Sequence, residues 1–188
     1  MSLTDLLVPT YKQMLKALSG WLDKAQEQLP EAESEAALTA RLATDMYPLS
    51  TQIRFSCLQA QEATFRLRGE ALPESLHELA REGQKADDHP GSMADAKARI
   101  DEALAFLDDL AADALDSGAG KSIAIELPNG MIFDMQGEHY ARDWALPQFY
   151  FHLNTAYAIL RSQKIELGKA DYVQHAFAYL RPGSMPGS

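Results

Sequence analysis

Apolar residues recur every three or four positions along most of the chain, which is the spacing of amphipathic helices. The first such run covers residues 4–29 and is closed by Pro30, because proline does not continue a helix. A shorter helical piece is predicted over residues 33–43. The pattern therefore begins with one long helix followed by one short one.

A second long helix is predicted between two residues that mark helix ends. Pro48 is favoured in the first turn of a helix, and Gly69 supplies the left-handed backbone at which helices stop. The apolar positions between them form a broad buried face. The polar stretch that follows predicts a solvent-exposed helix over residues 75–85, which connects to the next long helix.

Two further long helices complete the pattern. The third begins at Ser92, which forms an approximate capping box with Asp95, and runs towards Gly118. The fourth covers about residues 138–162 and is apolar nearly all round, which is typical of a central helix. A last short helix is predicted over residues 169–180. It is expected to dock through four apolar side chains: Tyr172, Val173, Phe177 and Leu180.

Between the third and fourth helices the apolar pattern becomes alternating, which predicts a β-hairpin over about residues 121–136. A three-residue loop over residues 128–130 keeps the apolar side chains of both strands on one face, with Gly130 in a left-handed conformation. The predicted pairs are Ile123 with Met135, Ile125 with Phe133 and Leu127 with Met131. We expect this face to lie on the helices, because an isolated hairpin is marginally stable in water.

The composition is that of one globular domain. The chain has 188 residues, of which 46% are hydrophobic and 23% are charged. We therefore expect an all-α protein, an up-and-down four-helix bundle with the hairpin inserted between helices three and four. The predicted domain covers residues 1–181. Residues 182–188, rich in proline, glycine and serine, are expected to form a flexible C-terminal tail.

The charge and the single cysteine narrow the choice of partners and compartment. Seventeen basic and 27 acidic residues leave a net charge of -10 without a tight basic cluster, which disfavours nucleic acid. No stretch approaches the roughly 18 consecutive apolar residues of a membrane span. Cys57 has no partner thiol, and residues 1–10 lack a basic leader. We expect a cytoplasmic protein without a nucleic-acid or membrane partner.

His152 is the strongest candidate for chemistry. Helical spacing places it beside Phe149, Ala156 and Ile159, where a neutral imidazole needs a hydrogen-bond partner or a ligand. One interpretation is a core histidine bonded across the helices, and the other is a role in a pocket or metal site. Gln148 lies one turn before it on the same face.

Three residues near the start of the second helix would add polar groups to this site if helices two and four pack together. They are Asp45, Gln52 and Arg54. Asp45 also suits a turn or helix cap, and Arg54 also suits a surface or ion-pairing role. The candidate pocket therefore consists of His152, Gln148, Asp45, Gln52 and Arg54.

Several segments together resemble the domain-of-unknown-function family DUF1993. They are YPLSTQIR at 47–54, PNG at 128–130, WALPQFYFHLNTAYAILR at 144–161 and LGK at 167–169. The resemblance covers almost the whole chain. It implies a fold similar to the bacterial-type DinB and YfiT-like four-helix metalloproteins.

The same resemblance implies a divalent metal held by three histidines, one on the second helix and two a turn apart on the fourth. His152 matches one of the pair on the fourth helix, but Ala156 stands one turn later. Residues 48–69 contain no histidine. The implied ligand triad is therefore incomplete in this chain.

Three hypotheses for function follow. The leading one is a DinB-like bundle that lacks the complete triad and keeps a pocket near His152. This pocket either binds a small ligand or has no chemical role. The second is a metal-dependent hydrolase or thiol transferase in which His152 joins carboxylate, amide or water ligands. The third is a homodimerising or partner-binding module whose fourth helix or hairpin supplies an apolar patch.

Overall fold

The computed structural model describes residues 1–184, so residues 185–188 of the predicted tail lie outside the described residues. Helix α1 spans Leu3–Gln28, and the Ser2 side chain caps it by accepting a hydrogen bond from the Asp5 amide. Helix α2 covers Glu31–Ala37, which is shorter than the predicted 33–43. The long first helix is confirmed.

The second long helix agrees with its predicted ends. Helix α3 spans Leu49–Arg68, with Pro48 at its N-cap and Gly69 at its C-cap in the left-handed conformation at φ 75°. Helix α4, Glu74–Gln84, packs along α3 and buries Leu76 and Leu79. It therefore forms part of the core as well as a connection.

Helix α5 spans Met93–Asp108, and its predicted capping box between Ser92 and Asp95 is present. The helix ends earlier than the sequence pattern predicts. The chain after it is bonded to the start of α1, where the Asp116 carboxylate accepts hydrogen bonds from the amide and hydroxyl of Thr4 at 2.9 and 2.6 Å. Asp116 thus caps the start of α1. The chain around it forms a short 3-10 turn at Asp116–Gly118 instead of continuing α5.

The hairpin consists of β1, Ser122–Glu126, and β2, Ile132–Gln136, in the predicted register. Ile123 pairs with Met135 and Ile125 with Phe133, while the Leu127 amide donates to the Met131 carbonyl at 2.8 Å. Gly130 has φ 84°, as the three-residue loop requires. The apolar face is buried in part: Ile123 and Ile125 are buried and Met135 packs against the core, whereas Met131 and Phe133 are exposed.

The fourth helical segment is not one continuous α-helix. Helix α6, Gly137–His139, leads into a π-helical turn at Tyr140–Ala145, and helix α7 follows over Leu146–Ser162. Pro147 accounts for the wider turn, because it has no N–H to donate to the carbonyl four residues earlier. Helix α7 is also not buried all round, since Phe151 is 59% exposed.

The last predicted helix divides into α8, Lys169–Tyr172, and a 3-10 helix at Gln174–Tyr179. Tyr172 docks as expected, with its ring stacked on Trp21 at a centroid distance of 5.6 Å. Phe177 and Leu180 are exposed. The prediction that they dock is therefore wrong.

Within residues 1–184 the four longest helices, α1, α3, α5 and α7, enclose the core. Helix α1 contacts α5 and α7, and α3 contacts the same two helices from the opposite side. The protein is thus mostly helical with one small antiparallel sheet. None of the helices in this part of the chain combines the length and apolar character needed to cross a membrane.

Candidate functional site

Helices α3 and α7 meet at a polar pair formed by Gln52 and His152. The Gln52 Oε1 atom lies 2.9 Å from the His152 Nδ1 atom. Gln52 is buried, and His152 is partly buried. The structure therefore brings together two of the five residues of the candidate pocket, one from each helix.

The hydrogen bonds of Gln52 determine the protonation of the imidazole. The Gln52 Nε2 donates to the Tyr47 carbonyl at 3.2 Å, which leaves Oε1 facing His152. Because a carbonyl oxygen only accepts, Nδ1 of His152 must carry the proton. The lone pair of the neutral ring is therefore on Nε2.

The surroundings of His152 keep it neutral. The rings of Phe55 and Phe151 approach it edge-on, at centroid distances of 5.1 and 5.4 Å. Burial lowers the pKa of His152 from 6.5 to about 4, because the charged form loses hydration that these neighbours do not replace. At neutral pH the side chain is a hydrogen-bond acceptor through Nε2.

This acceptor is left without a partner. Within residues 1–184, His152 Nε2 makes no hydrogen bond, and the side chain is only partly buried. Phe151 and Tyr47, which is 45% exposed, leave aromatic surface open nearby. The site thus combines one fixed acceptor with neighbouring aromatic side chains.

The sequence pattern did not identify the aromatic part of this site. Phe55 lies three residues after Gln52 on the same helical face, and its ring contacts both His152 and Tyr47. The helical spacing of Gln52 and Phe55 was the available signal. Phe151 gave none, because a residue beside His152 in an apolar helix is expected to be buried.

The structure does not bring the other three predicted pocket residues into this pair. Asp45 is exposed in the loop before α3 and lines a cleft with Arg41, Tyr47 and Asp87, which adjoins the site through Tyr47. Arg54 is buried on a different face of α3, near Glu82 of α4. Gln148 is partly buried on α7, and within residues 1–184 its side chain makes no hydrogen bond to His152.

Cys57 lies on α3 but has none of the properties of a reactive thiol. It is fully buried, and burial raises the pKa of its thiol to about 12. A thiol that stays protonated is a poor nucleophile and a poor metal ligand. Cys57 therefore acts as a small apolar core residue.

The residues present do not fit the divalent metal that the family resemblance implies. Among residues 1–184, no group of three or more His, Cys, Asp or Glu side chains is placed to hold a metal ion. Nδ1 of His152 is engaged by Gln52, and Ala156, one turn later, is buried and offers no ligand. One imidazole nitrogen alone does not make a metal centre.

These features define a mostly helical protein with a histidine–glutamine pair between two of its long helices. The family model for the domain of unknown function DUF1993 matches residues 3–173, and the chain belongs to this family. The chain is similar to the crystal structure of a DinB family member protein from Shewanella denitrificans, with 30% identity and a TM-score of 0.73. That match covers 99% of this chain and 94% of the other. Comparison with curated proteins gives no match.

Proposed function

We propose that this chain is a DinB-type up-and-down four-helix bundle that binds a small neutral ligand at His152. In this proposal the hairpin is an insertion between α5 and α7, and the bundle has given up the metal-binding role of its relatives. The ring of contacts among the four long helices and the likeness to a DinB family member support this architecture. The unpaired Cys57 suits a reducing compartment, so we place the function in the cytoplasm.

One observation carries the proposal: Gln52 holds the partly buried His152 ring by Nδ1, and Nε2 has no hydrogen-bond partner within residues 1–184. A ligand that fits must donate a hydrogen bond from an O–H or N–H group. It must also present an apolar or aromatic part to Phe151 and Phe55. A neutral aromatic alcohol or amine has both properties.

Phenol is the simplest probe of this site, with anisole as the matched ligand that lacks the donor. Two-dimensional NMR of the full chain should show phenol shifting the signals of His152 and Phe151, with a dissociation constant on the order of millimolar for so small a ligand. Anisole should bind more weakly. Replacement His152→Ala should remove the difference between the two probes.

His139, exposed near the start of the fourth helical segment, provides the control variant. His139→Ala should leave phenol binding unchanged. If phenol and anisole bind the native chain equally, Nε2 is not the recognition group and the proposal is wrong.

Elemental analysis tests the absence of the metal role independently. Purified protein should carry less than one equivalent of nickel, zinc or iron. One tightly held metal ion that is lost in His152→Ala would instead support the metal-dependent hydrolase or transferase hypothesis.

A further inference from the structure

Arg54 is a charged side chain buried almost completely within the helices. Its side chain is only 5% exposed. Its Nη1 donates to the Ser50 carbonyl at 3.1 Å, whereas its Nε is buried without a hydrogen-bond partner among residues 1–184. A guanidinium has five N–H donors and cannot lose its charge at ordinary pH. Arg54 is therefore under-satisfied.

The nearest carboxylates lower the cost of this charge but do not pair all of its donors. Glu82 forms an ion pair with Arg54, 3.6 Å from its Nε, while both Glu82 oxygens accept hydrogen bonds from Arg99 at 3.1 and 2.5 Å. Asp95 Oδ2 accepts from the amide and hydroxyl of Ser92 at 2.8 Å each, in the capping box of α5. The unpaired N–H donors of Arg54 therefore remain available to a further acceptor.

The fold leaves space for such a partner. A cleft of about 340 Å³ has Arg54 in its wall, and it is a size typical of small-ligand sites. Gly91, at φ 72°, lies against the guanidinium, where a Cβ would come within 2.7 Å of Nη2. A side chain at Gly91 would therefore clash with the guanidinium.

The cleft is lined by three cationic side chains and two carboxylates, although the whole chain is acidic. The lining residues are Arg54, Arg81, Lys85, His89, Glu78 and Glu82. Arg81 is paired with Glu74 at 2.7 Å, and Glu82 is paired with Arg99. Within residues 1–184, neither Lys85 nor Glu78 forms an ion pair, so Lys85 is a rim cation free to reach a ligand and Glu78 is the carboxylate that a bound anion must avoid.

We propose that this cleft binds a small oxyanion, a carboxylate or a phosphate, through the Arg54 guanidinium and the Lys85 ammonium. The planar donor fork of arginine matches two oxygens of such an ion, and the lysine adds a second charge. The site is separate from the one at His152. Residues 52 and 54 differ by about 200° around α3 and therefore open on different sides of the helix.

Isothermal titration of the full chain with inorganic phosphate and with succinate tests the proposal, with sodium chloride at equal ionic strength as the control. At least one of the two anions should bind with one site per chain and raise the melting temperature. Stronger binding of phosphate identifies a phosphate ligand, and stronger binding of succinate identifies a carboxylate ligand. If neither differs from chloride, the proposal is overturned.

Two matched lysine variants localise the site. Lys85→Gln should weaken binding about ten-fold, since it removes one charge-assisted hydrogen bond. Lys169→Gln, at an exposed lysine at the start of α8, should leave binding unchanged. Equal weakening in both variants would mean that the anion responds to general surface charge, and would contradict the site. Arg54→Gln should abolish binding, provided that circular dichroism shows it folded.

Discussion

Two buried polar side chains of α3, Gln52 and Arg54, differ in how their surroundings accommodate them. On the side of α7, Gln52 accepts a hydrogen bond from His152 Nδ1, and burial keeps the imidazole neutral. On the side of α4, Arg54 retains its charge because a guanidinium does not deprotonate, and its Nε is left without a partner within residues 1–184. Burial can remove the charge of a histidine, whereas a buried arginine stays charged and depends on the acceptors around it.

The largest expected effect concerns the pH dependence of stability. The pKa of His152 is about 4 in the folded chain and near 6.5 when unfolded, so the unfolded state binds the extra proton first as the pH falls. Stability should therefore decrease from pH 6.5 to pH 4, by about 2–3 kcal/mol from this residue. Urea unfolding across this range should show the loss in the native chain.

His152→Gln, which cannot ionise, is the matched variant for that comparison. This variant should not lose stability through protonation of residue 152. The loss of stability at low pH that comes from protonation of carboxylates should remain. Parallel curves for the two proteins would mean that His152 charges readily in the folded state.

Gln52→Leu tests the contribution of the Gln52–His152 hydrogen bond to stability. It removes the acceptor of the His152 Nδ1–H group and should lower the free energy of unfolding by about 2 kcal/mol. Gln52→Glu should behave differently, because a carboxylate beside the ring stabilises the imidazolium and raises the pKa of His152. Denaturant unfolding and proton NMR titration measure the two effects. A Gln52→Leu variant as stable as the native chain would show that the bond contributes nothing.

Phe55 connects the two sides, because its ring lies between His152 of α7 and Gly83 of α4. A Cβ at Gly83 would come within 2.4 Å of this ring. Gly83→Ala should therefore displace Phe55 and lower stability by about 1 kcal/mol, although alanine favours the helix. Gly20→Ala in α1, where the added Cβ meets nothing within 4 Å, should be slightly stabilising in the same thermal unfolding assay. Equal effects at both positions would contradict close packing of Phe55.

Arg54→Met should have the smallest effect on stability. Removing an under-satisfied buried charge while keeping most of the side-chain volume is expected to change the free energy of unfolding by no more than about 1 kcal/mol. The response of the melting temperature to phosphate or succinate should disappear in the same variant. A loss comparable to that of Gln52→Leu would indicate that Arg54 is already well paired.

The sequence contained the signals for local structure. Pro48 and Gly69 marked the ends of α3, and residues 128–130 defined the register of the hairpin. These features could be predicted because they depend on the backbone preferences of the residues themselves. The early end of α5 could not, because it depends on Asp116 bonding to Thr4 far away in the sequence.

The candidate site was predictable only in part for the same reason. Contact between Gln52 and His152 follows once α3 and α7 pack together, which their apolar faces favour. Which neighbouring helix Arg54 faces depends on how α3 is rotated about its own axis. The spacing of apolar residues in the sequence does not fix this rotation relative to α4. The exposure of Phe151 likewise depends on which face of α7 the neighbouring helices leave open.

Long-range proton–nitrogen NMR of the His152 imidazole measures its protonation most directly. We expect a neutral ring protonated on Nδ1, with unprotonated Nε2, that titrates at about pH 4. A ring protonated on Nε2, or one that titrates near pH 6.5, would contradict it.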